Sequence, residues 1–175
     1  RFGSNKLMYE VEGNTMYLRT LRQLQKAAAK MQNSRIVVVT QEKYAEIIDA
    51  AKEIGAEVLI NPQPERGISS SMQIGLEIAK DADACLFTVS DQPWLTAETI
   101  IALHDAFQSE NKGMACTVWG EKTGNPCIFS EKYYKELMAI SGDKGGKQII
   151  KKHPEDVAYL KISDERELQD VDVPL

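Results

Sequence analysis

Histidine and cysteine are scarce: the chain has two histidines and three cysteines in 175 residues. His104 lies in a helical pattern and His153 beside Pro154, neither with a cysteine, serine or second histidine at catalytic or ligand spacing. Both are read as structural, and no Ser-His-Asp or Cys-His set is available for covalent catalysis. Cys85, Cys116 and Cys127 show none of the paired spacings of a zinc site or a disulfide framework. They are read as buried free thiols of a cytoplasmic protein. Long apolar runs are missing, so no membrane span is expected, and no secretory leader is expected. Long basic runs are missing as well. With a net charge of −5, this argues against a general nucleic-acid binder and leaves small-molecule chemistry. An acidic protein that handles phosphates must gather its few cations in one place or use a divalent metal.

Hydrophobic residues make up 43% of the chain and charged residues 27%, as in an ordinary globular protein. The length suits one domain over residues 1–175. Apolar spacing predicts helices over Thr15–Gln32, Gln41–Ile54, the stretch ending at Lys80, Thr96–Ser109, Glu131–Ile140 and Gly145–His153. Thr15 is the expected cap of the first. Strands are expected at Arg35–Thr40, Ala56–Ile60, Ala84–Ser90, Met114–Trp119, Pro126–Phe129 and Val157–Ile162. Alternating strands and helices mean a mostly parallel sheet covered on both faces. The two runs around a Gly120–Asn125 turn suggest a small antiparallel excursion. Because the chain opens on the loop-like Arg1-Phe2-Gly3-Ser4-Asn5-Lys6, a strand and turn are expected ahead of Arg1.

Five segments carry candidate chemistry, with the acidic tail as a sixth. The sharpest is Ser90-Asp91-Gln92-Pro93, where an apolar strand runs into a carboxylate and a proline-stiffened turn. The carboxyl edge of an α/β sheet is where ligands bind, so Asp91 reads either as a metal ligand or as an acid before the next helix. In the opening loop, Arg1, Gly3 and Lys6 form a stretch able to approach and neutralise a polyphosphate. Next, Arg66-Gly67-Ile68-Ser69-Ser70-Ser71 places hydroxyls and free N–H groups at a helix start. That arrangement suits a phosphate or base edge, or plain capping. Last come two glycine-bearing turns, Gly124-Asn125-Pro126 and Gly142-Asp143-Lys144-Gly145-Gly146-Lys147. If Asp91 holds Mg²⁺, a second oxygen ligand is needed. Asp170 and Asp172 face one side of an extended tail and could supply it. Trp94 and Trp119 are read as packing residues.

In this order the segments resemble the nucleotidyltransferases of the molybdenum cofactor, and within them the molybdopterin cytidylyltransferase branch. The opening loop is similar to the second half of that family's LAAGxSxRMGxxK signature. Gly67–Met72 with Gly75-Leu76 resembles its GxxxSxxxGL segment. Asp91-Gln92-Pro93, Gly124-Asn125-Pro126 with Phe129, and Gly142-Asp143-Lys144-Gly145 match its DQP, GxPxxF and GDxG. Gln169–Pro174 resembles its DIDTP ending, with Val173 in place of threonine. The resemblance implies a Rossmann-like, three-layer nucleotidyltransferase domain of the nucleotide-diphospho-sugar transferase kind. It implies transfer of CMP from CTP to the phosphate of molybdopterin, with Mg²⁺ as cofactor and a molybdenum hydroxylase apoenzyme as a further partner. Arg1, Lys6 and Asp91 would be catalytic. Gly3, Ser70 and Ser71 would join Lys6 and Asp91 in binding nucleotide. Gly124, Asn125, Pro126, Gly142, Asp143 and Gly145 would bind the acceptor, and Asp91 with Asp170 or Asp172 the metal. The alternatives are another phosphorylated acceptor, GTP in place of CTP, or a non-catalytic carrier of the finished cofactor.

Overall fold

A computed structural model describes residues 5–172. A tight hairpin of β1 (Glu10–Val11) and β2 (Asn14–Thr15) turns through Glu12 and Gly13, both at positive φ. This is the backbone twist that short hairpin loops favour. It leads straight into α1 (Met16–Ala28), which buries Met16, Leu21 and Ala27 on one face. Thr15 stands at the cap position, but its hydroxyl makes no capping bond. A βαβ unit follows: β3 (Val37–Thr40), α2 (Ala45–Glu53) and β4 (Glu57–Ile60), the strands parallel in register Val37↔Glu57 to Thr40↔Ile60. Then come α3 (Ile68–Ile78), β5 (Ala84–Phe87), α4 (Ala97–Glu110), β6 (Met114–Trp119), β7 (Lys122–Ser130), α5 (Tyr134–Met138), α6 (Lys147–Lys152) and β8 (Val157–Lys161). No helix among the described residues is long and apolar enough to cross a membrane.

The strands of the larger sheet lie in the order β5-β7-β6-β8. Side-chain alternation along them builds two cores. Ala84, Leu86, Ala115, Ile128 and Ala158 face Leu103 and Phe107 of α4. Their sequence neighbours Cys85, Phe87, Met114, Cys116, Cys127, Phe129 and Val157 face α3, α5 and α6 through Leu76, Leu137, Ile149 and Ile150. That period of two is why a sheet covered on both faces reads as near-continuous apolar sequence. A third cluster packs α1 and α2 around Val38 and Val58 of the β3–β4 pair.

The sheet differs from the expected one. The β3–β4 and β6–β8 pairs are parallel, whereas β5–β7 and β6–β7 are antiparallel. The antiparallel strand is therefore no excursion at the rim but sits between β5 and β6. A turn of two residues, Gly120 (φ 57°) and Glu121, folds the chain back at once and pairs β7 with β6, while the other edge of β7 pairs with the distant β5 from Ala84↔Ser130 to Phe87↔Cys127. Strand β7 accordingly begins at Lys122, so Gly124, Asn125 and Pro126 lie inside a strand rather than in a turn. The Asn125–Pro126 peptide bond is cis, and the register shifts between Cys116 and Thr117 of the facing strand.

After β8 the chain forms one 3-10 turn (Glu165–Leu168) and then an extended segment through Asp172. Leu168 and Val171 are buried, each contributing about 1.5–3 kcal/mol of apolar stabilisation. Leu168 packs so closely on Gly124 that a Cβ there would lie 2.5 Å from its Cδ2. Val171 packs with Val11, Met16, Tyr9 and Trp94. Buried Glu167 accepts from the backbone N–H and the hydroxyl of Thr96, both at 3.1 Å, at the start of α4. Apolar burial thus docks the tail, and the polar contacts fix where it docks.

Candidate active site

The loop after β5 is held from below. Arg19 Nε donates to the carbonyl of Pro93 (2.8 Å) and Arg19 Nη1 to that of Val11 (3.2 Å), while Leu95 is buried. On this fixed loop Asp91 Oδ2 accepts from Lys6 Nζ at 2.6 Å. Lys6 opens a short 3-10 turn whose cap is Asn5 Oδ1, accepting from the N–H of Leu7. The same ammonium donates to Asp172 Oδ1 at 2.9 Å. Asp172 arrives there because the Val171 N–H donates to the carbonyl of Asp91 at 3.0 Å. Residues 6, 91 and 172 therefore meet at one cation.

Lys6 is pulled two ways. Partial burial lowers its pKa, but the hydrogen bonds it donates to Asp91 and Asp172, with their charges, outweigh this and hold it above the ordinary lysine value. The ammonium is thus fully charged at neutral pH. Asp91 Oδ1 is buried and has no partner among the described residues. A buried carboxylate oxygen left unpaired is costly, and it marks unused acceptor capacity beside a seat already filled by a cation. Among the described residues no group of three or more His, Cys, Asp or Glu side chains forms a metal cage. A Mg²⁺ that keeps substrate phosphate oxygens needs only one or two carboxylates, and Asp91 and Asp172 fit that demand, with the Lys6 ammonium as the stand-in charge.

The two tail carboxylates separate. Asp170 does not reach Lys6; its Oδ1 accepts from Gln92 Nε2 at 2.7 Å. The serines separate too. Ser70 is buried, and its hydroxyl donates to the carbonyl of Gly67 (2.7 Å). Ser71 accepts from Asn61 Nδ2 at 2.9 Å, and among the described residues its own O–H has no acceptor. Asn61 also donates to Ser70 (2.8 Å), and its Oδ1 takes the N–H of Gln63 (2.9 Å). A cleft of about 300 Å³ opens here, lined by Ile60, Asn61, Gln63, Arg66 and Ser70 among others.

The Gly142–Asp143 turn packs against the start of α3. Asp143 Oδ1 accepts from the N–H of Ile68 (3.3 Å), and the Gly142 carbonyl accepts from Ser69 N–H (3.2 Å). A Cβ on Gly67, which has φ 86°, would lie 2.5 Å from the Gly142 carbonyl carbon, so only glycine fits that joint. Gly145 lies in open space. Asn125 presents its carbonyl to the Thr117 hydroxyl (3.1 Å). Arg1 and Gly3 lie outside the described residues.

Sequence reasoning missed Asn61, which aims the serines, and the part played by Gln92. Asn61 opens the Asn61-Pro62 strand stop, and Gln92 stood in the marked tetrapeptide, but their long-range partners left no local signal. Trp94 packs as expected, with its indole N–H toward Glu12, whereas Trp119 is half exposed at the end of β6. The thiols offer no nucleophile: burial pushes Cys116 up to about 11 and Cys127 up to about 12. His153 is engaged with Glu136 at 3.2 Å.

Among the described residues the site is thus a lysine held between two carboxylates on the loop that follows β5 of an α/β layer fold. The model of the MobA-like NTP transferase domain matches residues 1–157, and the chain belongs to that family. A curated relative, the bifunctional IPC transferase and DIPP synthase of Thermococcus kodakarensis, is 34% identical over 89 residues. The match covers 49% of this chain and 19% of that protein. Among solved structures, Rv0371c of Mycobacterium tuberculosis superposes with a TM-score of 0.77 at 20% identity, over 94% of this chain and 82% of that one. A manganese complex of the same protein gives 0.73 at 18% identity, over 91% and 82%. A nucleotidyl transferase from Methanothermobacter gives 0.75 at 19% identity, over 95% and 78%. At these identities the structures establish a shared nucleotidyltransferase fold.

Proposed function

We propose that this chain transfers CMP from CTP to the terminal phosphate of molybdopterin and releases pyrophosphate. The observation that carries the reading is the Lys6 ammonium bridging Asp91 and Asp172, with unused acceptor capacity on Asp91. An acceptor phosphate oxygen attacks the α-phosphorus, the new P–O bond forms, and the bond to pyrophosphate breaks. Negative charge grows on the α-phosphate and the leaving group, so catalysis is positioning plus cationic stabilisation. Bound Mg²⁺ supplies Lewis-acid polarisation of the α-phosphate at that point; a manganese complex of a structural neighbour is in keeping with such a metal. Asp91 and Asp172 would hold it.

Lys6, with Arg1 of the same opening loop, neutralises the triphosphate, and Gly3 allows its close approach. Ser71 donates its free hydroxyl to the base or ribose. Ser70 acts through the helix start rather than by contact. Asp143 and Gly142, joined to that helix start, would receive the acceptor with Gly145 and half-buried Asn125, while Gly124 beneath Leu168 and fully buried Pro126 shape the strand behind them. A molybdenum hydroxylase apoenzyme is the proposed downstream recipient.

The test is pyrophosphate release from CTP and from GTP with Mg²⁺ and molybdopterin. CTP-selective release is expected; release only with GTP overturns the nucleotide assignment. A second reading, another phosphorylated acceptor, is favoured by the 34% identity to the IPC transferase and DIPP synthase. A panel of sugar and polyol phosphates separates the two: turnover with one of them and none with molybdopterin replaces the acceptor. No turnover with any acceptor, together with tight binding of the finished cofactor, selects the carrier alternative.

A further inference from the structure

We infer that Gln92 is a positioning residue: its buried carboxamide holds the closing tail in the one register that sets Asp172 against Asp91. The inference rests on the proposed metal role of those two carboxylates. The Gln92 side chain is 2% exposed, and Nε2 spends its protons on one segment, at 2.7 Å on Asp170 Oδ1 and 3.4 Å on the Leu168 carbonyl. Its neighbour Asp91 accepts the Val171 N–H through its own carbonyl. Two consecutive loop residues thus grip the tail at Leu168, Asp170 and Val171. The Asp172 side chain is 75% exposed, and among the described residues Lys6 alone holds its carboxylate. Its place is therefore set by the backbone just before it.

Asp172 stands between two valines in the sequence, so a slip of one residue would present an apolar side chain where Asp172 now stands. Leu168 and Val171 supply burial, and the Gln92–Asp170 bond adds the directional contact next to Asp172. Stability does not explain the glutamine. Its Oε1 is buried without a partner among the described residues, a penalty that a methionine of similar volume would avoid. Asp170, read from sequence as a possible metal ligand, becomes the anchor of this latch.

Manganese binding to the full chain, followed by electron paramagnetic resonance, tests the inference together with amide exchange at Val171. Gln92→Met is expected to leave the melting temperature unchanged or higher, to weaken Mn²⁺ binding about tenfold, and to speed exchange of the Val171 amide. Asp170→Ala, at an exposed position, should do the same, and the double variant should be no worse than either single one. Asp170→Asn keeps an acceptor oxygen and should bind Mn²⁺ within about twofold of the parent. Parent-like Mn²⁺ affinity and Val171 exchange in Gln92→Met overturn the latch. An Asp170→Asn as weak as Asp170→Ala overturns it too, by making Asp170 a direct ligand. Asp91→Asn is the control: if it leaves Mn²⁺ binding intact, the metal reading fails and Val171 exchange alone decides the latch.

Discussion

Two aspartates in this fold each meet a lysine, and they differ in what is left over. Asp156 opens the way into β8. Its Oδ1 accepts from the Gly113 N–H (2.9 Å), and its Oδ2 accepts from the Tyr133 hydroxyl (2.6 Å) and Lys132 (2.8 Å). Those hydrogen bonds, Lys132 first, hold its carboxyl well below the usual carboxylate range. Asp91 has one oxygen on Lys6 and the other buried with no partner among the described residues. Saturation is the mark of a carboxylate that ties strands together. Unused capacity beside a movable cation is the mark of one kept for a ligand. Partner count, not proximity to a lysine, tells the two apart.

The largest effect that would break this comparison is at Asp91. Asp91→Asn removes the anionic oxygen and should lower CTP-dependent pyrophosphate release about 100-fold; activity within about threefold of the parent sinks the assignment. Lys6→Met comes next and sharpens it, because two readouts should move in opposite directions. Turnover should fall about 100-fold, since a cation aimed at developing charge is lost. Mn²⁺ should nevertheless bind the free protein several-fold tighter, since the competing ammonium has left the two carboxylates. Weaker Mn²⁺ binding in Lys6→Met would mean that lysine and metal do not share the seat.

Asp156→Asn is the matched control. It should lower stability by about 1–3 kcal/mol at pH 7 and leave kcat/KM of the folded protein within twofold. Because the folded-state pKa is depressed, the stabilisation exists above the unfolded value near 4 and is lost as pH falls below it towards the folded value. Parent and variant melting temperatures should therefore converge as the pH is lowered below about 4. A constant gap across that window would show that packing around the side chain, rather than its charge, carries the effect.

Much of the fold was legible because burial on two faces writes long apolar strands. Arg35–Thr40, Ala84–Ser90 and Val157–Ile162 each contain a strand, trimmed by one to three residues at an end. The place of β7 was not legible. A two-residue turn says that β6 and β7 pair, but not that β7 also pairs with β5, a contact set by distant packing. The site divides the same way. Asp91 and the serine segment announce themselves locally, as a charge after a strand and hydroxyls before a helix. The meeting of Lys6 with Asp172 spans 166 positions and leaves no local pattern. The same holds for the choice between Asp170 and Asp172, which a buried glutamine makes.

Ser70 and Ser71 carry the comparison to its smallest scale, adjacent hydroxyls with unequal satisfaction. The Ser70 O–H ends on the Gly67 carbonyl inside the protein, and its oxygen also takes a proton from Asn61. Removing it takes one hydrogen bond from each, although the Gly67 carbonyl keeps the Ser70 N–H and Asn61 keeps Ser71, so Ser70→Ala should cost about 1 kcal/mol of stability. Its effect on CTP should follow only from the fraction folded. Ser71 receives one proton from Asn61 and has its own still to give. Ser71→Ala should leave the melting temperature within a degree or two while raising the KM for CTP several-fold, the loss of one hydrogen bond to substrate. Circular dichroism melts and initial rates on the same preparations separate the two. Equal stability losses with an unchanged KM would return Ser71 to the helix start and leave the base to be read by other groups.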